Sequence, residues 1–497
     1  MASQPLREKI ASGTTFLAFT RIVTRSFDLI TFIVLTRCLA PADFGLVAIS
    51  LSIVQVTEAV LELPTSQVLL RLPSVTRMHY STAFTLGLLR GLAITVILAA
   101  LAFPLAHFFG DDRLIALIAV QSLAPAVREL RSPRFLEYYR VLQFRQEAIA
   151  DTVSKGTALV VSVTIAVTTQ SYWAIAMGTV TAPLFYVAVS YIVAPFRPTL
   201  TLIHADLFRR YLGWGMAAQL VSAINWQCDR FVLARLVSHS VLGLFTATRD
   251  VAAIGVRVMF DVINRPVMAA LSVVSNDLDR LSRAYAKVSH STMSVGFPLA
   301  CGQALLAPEL IRLAMGPNWL GAIPIFQVVS LAIIPMLFTN LTGNLFYAAG
   351  RPELVFNRNL LDLIFRVPVT ISLIVFYGLN GAVAAFVMSE IFMAAICIRS
   401  VKRILGISIL EQLVQPRRAI IGAGAMAFAI EMLRCVTPPI FGIPLTVLFL
   451  ALAVPLAAIT YVAAHLAAWQ FERRPDGIEP LVLALVSRQL RRFSWKA

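Results

Sequence analysis

The sequence predicts an all-α integral membrane protein of about fourteen transmembrane helices. The composition is 58% hydrophobic and only 14% charged, against about 25% charged in soluble domains. Apolar runs of about 20 residues, the length that crosses a hydrocarbon core, recur along the whole chain. Basic residues gather in alternate breaks between those runs, as they do in loops on the cytoplasmic side of a membrane. The mean hydropathy is +0.80, and no long polar stretch separates the runs, so no separate catalytic domain is expected.

In chain order, the candidate spans are 11–38, 43–70, 81–106, 113–131, 149–169, 172–194, 212–237, 241–268, 288–307, 319–347, 355–377, 380–398, 416–434 and 440–465. The fourth is interrupted near its end by Pro125, Arg128 and Glu129. The opening segment MASQPLREKIASG lacks a short apolar core followed by a cleavage site, so the first run is expected to stay as a helix.

Counting from an inside N-terminus, the inner segments hold Arg7 and Lys9, Arg71 and Arg77, then Arg131, Arg134, Arg140 and Arg145, then Arg197, Arg209 and Arg210. Arg280, Arg283 and Lys287 follow, then Arg351 and Arg358, then Arg399, Lys402, Arg403, Arg417 and Arg418, and finally a basic tail. The alternate breaks, APAD, HFFGDDR, TTQSY, SHS, GPNW, YGLN and VTPPIFG, are nearly bare. An even number of spans with both termini cytoplasmic accounts for this asymmetry. The formal charge of +16 would suggest nucleic acid on a soluble protein. Here its placement between spans points to membrane topology instead, and no nucleic-acid partner is expected.

The chain repeats itself. VLTRCLAPADFGL (Val34 to Leu46) matches VLARLVSHSVLGL (Val232 to Leu244), setting Arg37 and Gly45 on Arg235 and Gly243. FRQEAIA from Phe144 resembles GRPELVF from Gly350. The expected organisation is a six-helix lobe over 11–194, a second over 208–403, two further helices over 416–465, and a basic tail over 466–497. The tail segment LVLALVSRQLRRFSWKA mixes Leu and Val with Arg and Trp495, which suits an amphipathic helix on the cytoplasmic leaflet. A solvated basic tail is the alternative.

Ionisable groups inside spans are costly in lipid, so they are the first functional candidates. Arg21, Arg25 and Asp28 share one face of the first span, and Glu58 and Glu62 lie a turn apart in the second. Ser222, Asn225 and Asp229 line the seventh, and Asp250, Arg257 and Asp261 stripe the eighth beside Arg249 and Arg265. A polar cavity lined by spans one, two, seven and eight is therefore expected near the repeat interface. Its cationic members would be Arg21, Arg25, Arg249 and Arg257. Asp28, Glu58, Glu62, Asn225, Asp229, Asp250 and Asp261 would be polar or coupling groups. Arginine suits a phosphate-bearing cargo because its planar fork stays charged and binds phosphate oxygens in pairs. The plainer alternative is that Arg21 with Asp28, or Arg257 with Asp261, only fixes helix packing. Arg37, Arg235 and Asp43 are read as snorkelling or capping groups near helix ends, as are Asp362 and Arg366. Glu390 is more isolated, and suits a proton site or a helix contact equally.

Enzymatic signatures are missing. The six histidines form no HExxH or His-carboxylate cluster, and neither GxSxG nor GxxxxGK[ST] occurs. Cys38, Cys228, Cys301, Cys397 and Cys435 are odd in number without CxxC spacing, which reads as packing rather than redox or metal chemistry. No cofactor or metal is expected, and a transporter rather than an enzyme is.

LTRCLAPADFGLVAIS, LARLVSHSVLGLFTATRDV and YAAGRPELVFNRN resemble the polysaccharide-biosynthesis flippases of the multidrug, oligosaccharidyl-lipid and polysaccharide exporter superfamily, from about Ala11 to Leu405. The resemblance implies two pseudo-symmetric six-helix lobes around a V-shaped cavity, two additional helices, and alternating access. It implies an undecaprenyl-diphosphate-linked oligosaccharide as cargo, turned to the outer leaflet of a bacterial inner membrane. Membrane lipids, a polysaccharide polymerase and glycosyltransferases are the implied partners. A cation-coupled multidrug antiporter of the same superfamily is the alternative, with Asp28, Asp229 or Glu390 as its coupling acid.

Overall fold

The computed structural model describes residues 4–63, 65–72, 74–140, 143, 145–209, 214–275, 277–351, 353–437 and 442–472. The side chains of 4–19 and of a few further helical residues, Asp261 and Arg265 among them, lie outside that description. The regular structure described is helical throughout, and the chain divides into two compact units, Met1–Thr246 and Ala247–Ala497.

The first unit contains α1 (Gln4–Cys38), α2 (Pro41–Val60), α3 (Thr65–Arg71), α4 (Arg77–Phe109), α5 (Arg113–Gln121), α6 (Leu123–Glu129), α7 (Leu136–Arg140), α8 (Arg145–Thr169), α9 (Trp173–Val193), α10 (Ala205–Arg209) and α11 (Trp214–Leu236). The helix α12 (His239–Val273) runs from this unit into the next. The second unit adds α13 (Leu278–Leu305), α14 (Ala307–Ala314), α15 (Ile323–Leu331), α16 (Ile333–Ala348), α17 (Glu353–Leu405), α18 (Ile409–Val414), α19 (Arg417–Val436) and α20 (Ile443–Phe471).

Among the described residues, each of the fourteen spans overlaps one or more helices, with different ends. The span 43–70 is two helices, because α2 closes at Val60 and α3 packs separately against α4. The span 113–131 breaks between α5 and α6 at Ser122. The ninth begins ten residues early, at Leu278, and α13 then bends by 72° into α14; the tenth bends by 41° before Ile333. The eleventh and twelfth join as α17, where Gly378 adopts φ 54° and turns the chain between its two arms. Such a φ is strained for a side chain with a Cβ and open to glycine. The final span runs on to Phe471, past the expected break after His465. The tail from Arg473 onward lies outside the described residues.

Among the described residues, seven helices are long and apolar enough to cross a membrane, and nine are if each bent pair is one span. Of the long helices, α1, α11 and α12 fall outside that set, and these carry most of the ionisable groups singled out above. Large apolar side chains such as Phe103, Ile192, Phe376 and Phe428 face outward. A surface of this kind suits lipid, in which only helices and closed barrels satisfy their own backbone groups.

The repeat-matched glycines meet within the first unit. A Cβ on Gly45 would collide with the His239 carbonyl oxygen, and one on Gly243 with the Pro41 carbonyl oxygen. The first turns of α2 and α12 therefore cross backbone to backbone. Nearby, the Asp43 carboxylate accepts the Ala40 N–H at 3.1 Å, the capping role expected of it.

Candidate functional site

In the first unit α1 packs along α8. The Asp28 carboxylate takes Lys155 Nζ at 2.7 Å and Arg25 Nη1 at 3.5 Å. Arg21 lies a turn before Arg25, and both act electrostatically on Asp151, one turn before Lys155 on α8. The pairing of Arg21 with Asp28 that the spacing allowed is thus replaced by Arg25 and Lys155. All three paired groups stay substantially exposed. They form an exposed, mixed-charge strip on α1 and α8.

A second cluster in this unit joins α2, α4 and α6. Arg90 pairs with Glu129 and donates to the Leu61 and Glu58 carbonyl oxygens at 2.7 and 3.0 Å. Arg128 Nη1 meets the Glu58 carboxylate at 3.0 Å. Here a partly buried guanidinium caps the end of α2, and Glu58 joins the same network. Glu62 stands beyond the last turn of α2, where Gln219 donates to it at 3.4 Å. The expected Glu58–Glu62 face is therefore divided.

On α11, Asn225 and Asp229 are buried, with Cys228 Sγ 3.3 Å from the Asp229 carboxylate, and Gln227 donates to Gln55 of α2. Arg235, in the last turn, lies 5.6 Å over the Phe108 ring. Between α4 and α5 a hydrogen bond from Arg113 holds the Asp111 carboxylate below its usual range.

In the second unit, Arg249 is buried with its guanidinium 5.0 Å over the Phe386 ring, a cation–π contact. Arg257 and Asp250 are half-exposed and 3.6 Å apart. The Asp261 side chain lies outside the described residues. Arg249 is thus buried against Phe386, and among the described side chains of the stripe Arg257 is the half-exposed guanidinium.

The structure corrects the reading of Asp362, Arg366 and Glu390. Arg366 Nε bonds both Asp362 oxygens at 3.3 Å, and its Nη2 donates to Glu390 at 3.1 Å, with all three side chains buried. Glu390 is not isolated, and Arg366 and Asp362 do not snorkel. The i, i+4 spacing on one arm of α17 was visible in the sequence, but the Gly378 turn that brings the other arm back was not.

Sequence reasoning also missed Arg90, Asp151 and Lys155. The signal was available, because each stands inside an expected span and Asp151 and Lys155 are one turn apart. Of the cysteines, Cys228 and Cys397 are buried and Cys435 is exposed.

The arrangement is a helical membrane bundle with accessible guanidiniums on charge-bearing helices. The same fold occurs in the lipid II flippase MurJ in an inward closed conformation, with a TM-score of 0.74 over 93% of this chain and 100% of that one at 14% identity. It occurs too in an inward-facing multidrug resistance MATE family transporter of the MOP superfamily, with a TM-score of 0.59 over 78% and 98% of the two chains at 14% identity. The class is thus a multi-pass membrane protein with the fold of that superfamily.

Residues 34–324 match the model of the polysaccharide biosynthesis protein family, and the chain belongs to that family. It is 21% identical to the lipopolysaccharide biosynthesis protein WzxC of Escherichia coli K12 over 78% of this chain and 79% of WzxC. It is 22% identical to the succinoglycan biosynthesis transport protein ExoT of Rhizobium meliloti over 62% and 63% of the two chains.

Proposed function

We propose that the protein carries a polyprenyl-diphosphate-linked oligosaccharide, a polysaccharide repeat unit, from the cytoplasmic to the outer leaflet of a bacterial inner membrane by alternating access. The observation that carries this reading is the set of accessible guanidiniums, Arg21 and Arg25 on α1 and Arg257 on α12, on helices of a chain that is otherwise poor in charge. In this reading the guanidiniums of α1 hold the diphosphate through paired N–H donors, while the polyprenyl tail stays in lipid. Asp28 beside Arg25, and Asp250 beside Arg257, temper the local positive charge when no cargo is bound. The repeat-based lobes, 11–194 and 208–403, are the functional halves; α11 and the start of α12 are assigned differently by the repeat and by the compact units. Both termini are cytoplasmic, and the glycosyltransferases and polymerase that make and join the repeat units act before and after it.

The antiporter alternative needs a free deep acid. Asp28 is engaged by Lys155 and Arg25, and Glu390 by Arg366, so at these two a coupling cation would have to displace a fixed one, which leaves the buried Asp229 as the acid that reading would use.

The test uses cells that lack the protein, complemented with wild type or with Arg21→Ala, Arg25→Ala and Arg257→Ala variants confirmed in the membrane. Lipid-linked repeat units accumulate, surface or secreted glycan disappears, and the variants fail to restore it. Unchanged glycan with new sensitivity to cationic compounds sinks this reading in favour of the antiporter.

A further inference from the structure

Three successive basic breaks of the first unit, which the sequence keeps more than fifty residues apart, meet at one cavity of about 470 Å³. Arg77 comes from the start of α4, Arg134 from the turn before α7, and Arg197 from the segment after α9. Glu137 supplies the one acid, and Tyr80 and Phe196 form an aromatic wall with ring centroids 6.2 Å apart.

The wall is built rather than draped. Arg77 Nη2 donates to the Arg197 carbonyl oxygen at 3.2 Å. Ser81 bonds the Thr199 hydroxyl at 3.0 Å, and the Thr201 N–H donates to Thr85 at 3.1 Å, which pins the segment after α9 along α4. Each arginine keeps donors to spare. Arg77 uses one nitrogen on a carbonyl, and Arg134 uses Nε on Glu137 at 3.1 Å. Three guanidiniums against one carboxylate leave the cavity with two positive charges in excess. Its volume lies in the range of small-ligand sites, which is about 300–1,000 Å³. Exposed apolar side chains flank it in sequence, Met78 beside Arg77 and Leu200 and Ile203 beyond Arg197.

We propose that this cavity binds a phosphate-bearing ligand, with Arg77, Arg134 and Arg197 on the phosphate oxygens and Tyr80 and Phe196 against the group attached to it. The site shares no residue with the guanidiniums of α1 and α12, so it stands or falls independently of the proposed transport function. A phospholipid headgroup and a soluble phosphate compound offer the same chemistry, and the flanking apolar residues favour the lipid.

The experiment reconstitutes the full chain in phosphatidylcholine nanodiscs. Retention of added phosphatidylglycerol is measured by native mass spectrometry, and binding of inorganic pyrophosphate by calorimetry. The variants are Arg77→Gln/Arg134→Gln/Arg197→Gln and, separately, Glu137→Gln. The triple variant should weaken the bound probe by about tenfold or more, because charge-assisted hydrogen bonds are lost. Glu137→Gln, which removes the acid, should tighten it by a few fold. Phosphatidylglycerol held and not displaced by pyrophosphate assigns the lipid, and displacement assigns a soluble ligand. If the triple variant binds both probes as wild type does, the site is overturned. If the triple variant fails to fold, Glu137→Gln decides, and unchanged affinity there overturns the site as well.

Discussion

Two clusters that each set an Arg and an Asp on one helix behave as opposites. On α1 and α8, Arg25, Asp28 and Lys155 are 39%, 43% and 27% exposed. On α17, Arg366, Asp362 and Glu390 are 6%, 9% and 11% exposed. Both have an Arg and an Asp on one helix face and a third partner from elsewhere. The difference is the dielectric around them. Where solvent reaches the exposed cluster it screens the pairs, so their mutual attraction is weak. In the buried triad every charge relies on its partners, and removing one leaves the others stranded.

The largest expected effect tests that contrast directly. Arg366→Ala should destabilise the protein by about 3–5 kcal/mol, because two buried carboxylates lose their counter-ion. Thermal unfolding in detergent, with membrane abundance alongside, measures it; an unchanged midpoint would mean the triad is wet after all. Replacing the whole triad, as Arg366→Met with Asp362→Leu and Glu390→Met, should recover most of that loss, since an apolar set of similar volume needs no desolvation. If the triple replacement is instead as unstable as Arg366→Ala, the triad does more than pack.

For the exposed cluster, a double-mutant cycle on Asp28→Ala and Lys155→Ala should give a coupling under about 1 kcal/mol that fades with salt. A salt-independent coupling of several times that size would erase the distinction between the two regions.

The smallest effect concerns Glu472, outside the spans. Hydrogen bonds from Arg417 and then Arg418, each at 2.6 Å, lower its carboxyl from 4.5 to about 2. A depressed folded value means that the stabilisation is complete above the unfolded value and is lost as pH falls from 4.5 towards about 2. The stability gap between wild type and Glu472→Gln, under about 1 kcal/mol at neutral pH, should therefore close across that interval. A gap that is constant with pH would show that the clamp of α19 to α20 owes nothing to charge.

The exposed cluster was half legible. Arg21, Arg25 and Asp28 sit at helical spacing in an apolar run, which marks them without any tertiary information. Lys155 is 127 residues from Asp28, and no local pattern links the two. Glu58 and Glu62 share a face only if the helix continues past Val60, and it closes there onto Arg90.

What the sequence determined by itself was the class of fold: hydrophobic length, alternating basic breaks and an internal repeat are properties of the chain's composition and order, and they follow from the insolubility of charge in hydrocarbon. The repeat matched Gly45 with Gly243, but that the two cross backbone to backbone is a tertiary fact. Which arginine is accessible, which is buried over Phe386 or between two acids, and which three meet around one cavity were decided only by tertiary structure. Burial and partnership depend on helices brought together from distant parts of the chain, and those relations set whether a charge stabilises the protein or remains available to a ligand.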